Sequence, residues 1–140
     1  MPDPNAIGPR LRSVAATYRS AIDRGLRQRG LTLSQYQVLA AIGEDGLASN
    51  ADLARAMSIT PQSAHELLLV LVGRELVERP EGAGPGRAGV IRLTRAGRRA
   101  LASADARVAA IDARITDTLG EGPARRLLEM LALAESALER

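Results

Sequence analysis

The chain has 140 residues, a length that suggests one compact domain with its own core. It contains no Cys and a single His, His65, which excludes disulfide scaffolds, thiolate zinc sites, thiol nucleophiles and multi-His metal sites. The net charge is +3, every one of the 19 basic side chains is Arg, and the strong helix formers Ala (25) and Leu (20) dominate. We therefore expect a mostly helical protein.

The N-terminus lacks the basic start and apolar stretch of a signal peptide. The longest strongly apolar run, Leu67 to Val72, is far too short to span a membrane. These features predict a cytoplasmic protein with no membrane partner.

Two helices are predicted at the start of the chain. Apolar residues recur every three or four positions from Ile7 to Leu26, which indicates an amphipathic helix over about 8–28. Thr32-Leu33-Ser34-Gln35 is typical of a capping box, and it predicts a second helix that ends near Gly43 or Gly46.

A helix-turn-helix is predicted next. Ser49-Asn50-Ala51-Asp52 resembles a second capping box, and Thr60-Pro61 places a hydroxyl at a cap and Pro in a first turn. The second of these helices is expected to run to about Glu75. Because only about Ser58 to Thr60 separates the two short helices, the spacing fits a helix-turn-helix.

A hairpin and two further helices complete the prediction. The alternation of Val77 with Arg79 and of Val90 with Arg92, on either side of the loop Pro80–Gly86, predicts a two-stranded hairpin with a long tip. Thr94 is expected to cap a long helix. The segment Gly120–Pro123 should break the chain before a last helix, which carries Leu127, Leu131, Ala134 and Leu138.

Charge is unevenly distributed along the chain. Residues 74–99, around the predicted hairpin, carry seven Arg and three acids, whereas residues 31–73 carry one Arg and four acids. Arg suits DNA contact because its planar fork binds phosphate or a guanine edge. Genomic base composition is the alternative explanation for a chain without Lys.

From Leu31 to Leu101 the sequence resembles the multiple antibiotic resistance regulator (MarR) family of winged-helix transcriptional regulators. The order and spacing of four segments carry the resemblance: Leu31–Leu39, Asp52–Met57, Leu76–Arg79 and Ile91–Gly97.

The resemblance implies a mainly α fold with a small β-hairpin, a winged helix-turn-helix flanked by N- and C-terminal dimerisation helices. Residues 1–140 would form a single domain, with 1–30 and 100–140 as the dimerisation helices and 31–99 as the DNA-binding region. It implies a homodimer, without a cofactor, that binds double-stranded DNA at a pseudo-palindromic operator. A small-molecule effector often binds between the two regions in this family.

Four candidate base-reading residues lie early on the predicted recognition helix: Gln62, Ser63, His65 and Glu66. Gln can read adenine, and Glu can accept from cytosine. The alternatives are a helix-capping role for Ser63, an ordinary surface position for His65, and an intramolecular pair with an Arg for Glu66.

The remaining candidate DNA contacts are Ser49, Thr60, Arg79, Arg87 and Arg92. Arg87 has no acid near it in sequence, so insertion into the minor groove is expected, against a solvated loop charge. The sequence departs from the family because Pro85-Gly86-Arg87 replaces an Asp-Arg-Arg type of wing tip, and because acidic side chains stand at positions 66 and 75, where the family commonly has a basic residue and Gly.

An effector cavity and an apolar patch are further hypotheses. Tyr18 and Tyr36, with Leu11, Ile22 and Leu39, are candidate cavity residues, and core packing is the alternative. Leu67, Leu68 and Leu71 fit a core face, whereas one helical stripe cannot also bury Leu69, Val70 and Val72. Either some of these three pack under the wing or the long terminal helices, or they form an exposed patch that binds a partner or ligand.

Two other classes of function are alternatives to a DNA-binding regulator. An exposed patch and the altered wing would suit a winged-helix module for protein interaction or ligand binding that has weak or lost operator binding. We do not expect an enzyme, since no Ser-His-Asp order, phosphate loop or metal-ligand spacing occurs in the sequence.

Overall fold

A computed structural model describes residues 3, 5–79 and 90–140, and this part of the chain forms six helices and a two-stranded sheet. The elements follow in this order: α1 (Ile7–Arg27), α2 (Leu33–Ile42), α3 (Asn50–Met57), α4 (Pro61–Gly73), β1 (Val77–Glu78), β2 (Arg92–Leu93), α5 (Arg95–Leu119) and α6 (Glu121–Leu138). The predicted fold class, mainly helical with a small hairpin, is confirmed.

Hydroxyl caps fix the starts of four helices, as the sequence predicted. In each case a side-chain oxygen accepts the backbone N–H three residues later. The caps are Thr32 for α2, Ser49 for α3, Thr60 for α4 and Thr94 for α5, at donor–acceptor distances of 3.0–3.2 Å.

The helix-turn-helix consists of α3 and α4, which pack against each other. The amide of Asn50 donates to the backbone carbonyl of Pro61 at 2.9 Å, so the first residues of the two helices are joined directly. Ala54 and Ala64 are buried, and their small side chains suit a close helix contact. This arrangement turns the other side of α4 toward solvent.

The wing is a short antiparallel pair in which Val77 lies opposite Leu93 and Glu78 lies opposite Arg92. A bridge to Leu47, which the sequence analysis missed, extends the pair because Leu47 and Ile91 exchange backbone hydrogen bonds of 2.9 and 2.7 Å. This extra pairing puts Ile91 and Leu93 on the buried face. The predicted alternation of Val90 with Arg92 is therefore wrong, because the buried positions begin one residue later than Val90.

The core lies between α2, the helix-turn-helix, the wing and the inner parts of α1 and α5. In contrast, α6 packs on α5 and has no buried residue along Glu121–Leu138. The predicted break over Gly120–Pro123 shrinks to Gly120, at φ 88°, because Pro is tolerated in a first helical turn and α6 already begins at Glu121. No helix in the described ranges is long and apolar enough to cross a membrane.

Candidate nucleic-acid interface

The four predicted base-reading residues lie together on one solvent-facing surface. Gln62, Ser63, His65 and Glu66 are all exposed in the first two turns of α4. The opposite side of the same helix is buried through Ala64, Leu68 and Leu71. The local sequence therefore anchors α4 by its apolar side and presents its polar start outward.

The hydroxyls at the start of α4 are already bonded to each other. Thr60 Oγ1 accepts the backbone N–H of Ser63 at 3.1 Å and donates to Ser63 Oγ at 2.9 Å. Ser63 Oγ accepts that bond and keeps its own hydrogen, so it can still donate to a phosphate or a base acceptor. Thr60 acts here as a cap, and Ser63 is the better placed of the two to contact a ligand.

Ser49, at the start of α3, has a similar capping role. Its hydroxyl accepts the N–H of Asp52 at 3.2 Å and donates to the Asp52 carboxylate at 2.9 Å. This hydroxyl, followed by the Arg55 guanidinium, holds the pKa of Asp52 below its usual range. Arg55 pairs with Asp52, which reduces the net positive charge that α3 offers to a polyanion.

The wing, which packs against α4, carries exposed cationic side chains. Arg79 at the end of β1 and Arg92 in β2 are exposed, and Arg92 stands across the strand pair from Glu78. Arg98 donates to the backbone carbonyl of Leu93 at 3.0 Å, which supports the start of α5. The predicted contact at Arg87 lies outside the described residues.

Sequence reasoning missed the polar contacts that hold α2 against its neighbours. Arg74, the residue after α4, donates through Nη1 to Gln35 Oε1 at 3.1 Å, and the same oxygen accepts the N–H of Thr32 at 3.1 Å. A guanidinium at this end of α4 also complements the helix dipole. The capping box of α2 thereby fixes the end of the proposed recognition helix.

A second polar contact joins α2 to α5. Tyr36 donates its hydroxyl to Asp105 Oδ1 at 2.7 Å. Burial of the phenol, and then the bond to the carboxylate, raise the pKa of Tyr36 to about 12. A phenol at this pKa remains a hydrogen-bond donor at any physiological pH.

Three of the five predicted effector residues belong to the core rather than to an open cavity wall. Ile22 and Leu39 are buried, and Tyr36 packs against the same cluster and is held by Asp105. Tyr18, but not the other four, lines an open groove of about 550 Å³ between α1 and α5. Three Arg side chains also line this groove: Arg10, Arg24 and Arg114.

The apolar half of α4 has a buried side and an exposed side, as the sequence predicted, except at one position. Leu68 and Leu71 are buried, and Leu67 packs partly against the core. Leu69 and Val70 are 55% and 49% exposed. Val72, expected to lie outside the core stripe, packs against the core because it lies four residues after the buried Leu68, on the same side of the helix.

Comparison with known proteins agrees with this architecture. A model of the MarR family matches residues 29–88. A curated relative, the HTH-type transcriptional repressor Rv2887 of Mycobacterium tuberculosis, is 33% identical over 129 residues, which cover 92% of this chain and 93% of the relative.

Two solved structures of Rv2887 also match. Its complex with DNA has a TM-score of 0.75 at 32% identity, over 92% of this chain and 97% of that one. Its complex with salicylic acid has a TM-score of 0.71 at 32% identity, over 96% and 99%. The chain belongs to the MarR family, and its fold is that family's winged helix-turn-helix.

Proposed function

We propose that this protein is a homodimeric transcriptional repressor that binds double-stranded DNA at a pseudo-palindromic operator. The observation that carries the proposal is the exposed polar start of α4, together with the exposed cations Arg79 and Arg92 on the wing. Phosphate contacts from such cations position a protein, and side chains on a helix in the major groove read bases. Rv2887, described as a repressor and solved with DNA, supports this function.

The same proposal assigns residues 31–99 to DNA binding and residues 1–30 and 100–140 to dimerisation. The last helix supports a dimer because large apolar side chains on it face solvent, with Leu128 and Leu133 about 70% exposed. Apolar surface of this extent on one helix indicates a covering partner. A second copy of the chain would bury it and would place two α4 helices for two half-sites.

A small-molecule effector is part of the proposal. The groove between α1 and α5 combines Tyr18 with Arg10, Arg24 and Arg114, a lining that suits an aromatic anion. The complex of Rv2887 with salicylic acid supports an effector of this class. The proposed activity is regulation in the cytoplasm rather than catalysis, and it uses no metal or cofactor.

A second candidate function is a winged-helix module that binds a protein or ligand and has weak operator affinity. The exposure of Leu69 and Val70 on α4 favours it. The Val70→Ser variant separates the two: under the second function partner binding falls, and under the first DNA binding persists.

Retention of genomic DNA tests the leading function. Sheared genomic fragments are incubated with the full chain at low salt, and bound fragments are sequenced. We expect a few regions to be enriched, and Arg92→Ala should reduce their retention. The matched control Arg140→Ala removes an exposed Arg beyond α6 and should retain them. Failure to retain any fragment at low salt would overturn the proposal.

A further inference from the structure

We propose that Glu66 sets the base specificity of this protein by accepting a hydrogen bond from the N4 amino group of a cytosine in each half-site. The proposal rests on the proposed function, because it concerns the surface of α4 that would face DNA. In this role Glu66 would increase specificity for one base and would lower the affinity of the protein for DNA in general.

The surface of α4 that would enter a groove has no strong cation. The segment Pro61–Gly73 contains no Arg, and the chain contains no Lys. Gln62, Glu66 and Leu69 follow one another at spacings of four and three, so they lie along one side of the helix. All three are exposed. A carboxylate therefore stands in the middle of the surface that would meet the base edges.

Among the residues that the structure describes, no side chain occupies this carboxylate. The ion pairs formed within residues 3, 5–79 and 90–140 join Arg27 to Asp23 and Arg55 to Asp52, and none involves Glu66. The side-chain hydrogen bonds of the same ranges leave Glu66 unbonded as well. Intramolecular pairing, the alternative that the sequence left open, is not seen in the described part of the chain.

The hydrogen-bond donors and acceptors that each base presents in the major groove determine which base Glu66 would contact. An ionised carboxylate only accepts hydrogen bonds, whereas guanine presents two acceptors, N7 and O6, and thymine presents O4. Adenine offers an N6 donor but places the acceptor N7 beside it. Cytosine offers its N4 donor with no acceptor next to it in the groove, so it is the base that Glu66 tolerates best.

The neighbours of Glu66 extend the half-site. Gln62 lies one turn earlier, about 6 Å along the helix axis, which corresponds to roughly two base-pair steps of 3.4 Å. Its amide suits adenine, and the apolar Leu69 suits a thymine methyl group. We therefore expect an adenine within about two base pairs of the cytosine, with a thymine on the other side.

The effect on a single base position distinguishes this role from that of a merely exposed acid. A carboxylate near the DNA backbone weakens binding to every sequence, and a bond to one base recovers affinity at that sequence alone. Removing the charge should therefore raise affinity for unselected DNA while it reduces discrimination at one position.

Selection from randomised duplexes tests the proposal, with the full chain and its Glu66→Gln variant compared side by side. The substitution is nearly isosteric and lies at an exposed position, so the fold should be kept. The matched control Glu78→Gln removes an exposed carboxylate from β1, off the recognition helix. Binding of single-base variants of the selected site is then measured by fluorescence anisotropy.

We expect the unaltered chain to select one cytosine per half-site and to lose roughly fivefold or more in affinity when guanine replaces it. Glu66→Gln should lose this preference or move it to adenine, and Glu78→Gln should keep it. An unchanged base preference in Glu66→Gln, with affinity raised equally for all duplexes, would overturn the role of Glu66 alone. If the unaltered chain selects no duplex, the proposed function fails as well.

Discussion

Tyr36 and Asp105 are joined by a 2.7 Å hydrogen bond between residues 69 positions apart in the chain. The bond connects α2 to α5, and the bond from Arg74 to Gln35 connects α2 to the end of α4. The helix α2 is therefore bonded both to the long helix α5 and to the end of the proposed recognition helix.

The first prediction concerns the titration of Tyr36. In a Tyr18→Phe variant Tyr36 is the one remaining tyrosine, and its ultraviolet absorbance should report a pKa well above the ordinary value of 10, because burial and the bond to Asp105 remain. Asp105→Asn in that background should lower this pKa, since it removes a negative charge that opposes phenolate formation. A pKa near 10 in the Tyr18→Phe variant would contradict the hydrogen bond to Asp105.

The raised pKa of Tyr36 also determines how the free energy of unfolding changes with pH. The folded-state pKa of Tyr36 lies above the ordinary value of 10, so its contribution to the free energy of unfolding is complete below pH 10. This contribution should be lost as the pH rises from 10 to 12, because the unfolded chain releases the proton first. Urea unfolding of the Tyr18→Phe protein and of its Tyr36→Phe derivative, compared over this range, measures it.

The second prediction concerns Glu75, which has a φ of 60° directly after the turn that ends α4. The Thr94 hydroxyl donates to its backbone carbonyl at 2.6 Å and holds the chain in this left-handed conformation. Because a side chain with a Cβ is strained there, Glu75→Gly should raise the free energy of unfolding by about 1 kcal/mol. Urea unfolding should show the opposite sign for Glu78→Gly, because glycine weakens a strand.

The third prediction concerns the close contact of Gly97 with Leu76, the residue before β1. A Cβ at Gly97 would lie 1.9 Å from the backbone oxygen of Leu76, so Gly97→Ala must displace main chain. We expect a loss of about 1–3 kcal/mol in the free energy of unfolding. Gly73→Ala is the matched control, since its Cβ would meet no atom within 4 Å and should stabilise α4 slightly. Equal effects of the two variants in thermal unfolding would be inconsistent with the contact.

The fourth prediction concerns the surface of α6. Leu133→Asp places a charge on the apolar side chains that a second copy is proposed to cover, so sedimentation should show a shift from dimer toward monomer. Ser34→Asp adds the same charge at an exposed position of α2 and should leave the mass unchanged. A protein that sediments as a monomer before any substitution would refute the proposed dimer.

Local signals in the sequence predicted most of the fold. The caps Thr32, Thr60 and Thr94 each bond to a residue three positions later, so a short stretch of sequence is enough to predict them. The Leu47–Ile91 bridge and the Tyr36–Asp105 bond join distant segments, and no local pattern encodes such a pairing.

For the candidate site, the sequence predicted the exposed side chains better than the inward-facing ones. The exposed side of α4 followed from its apolar periodicity, which also places Gln62 and Glu66 outward. Periodicity does not distinguish a core wall from a cavity wall, since both are apolar and inward. The proposed effector residues Ile22 and Leu39 consequently lie in the core.

Footprinting on a genomic fragment that the protein retains tests the central claim most directly. A two-fold dimer that inserts α4 into the major groove should protect two half-sites about one helical turn, or roughly 34 Å, apart on one face of the duplex. The two protected sequences should be related by inverted symmetry. Protection of a single asymmetric patch, or no protection at low salt, would contradict a dimeric operator-binding repressor.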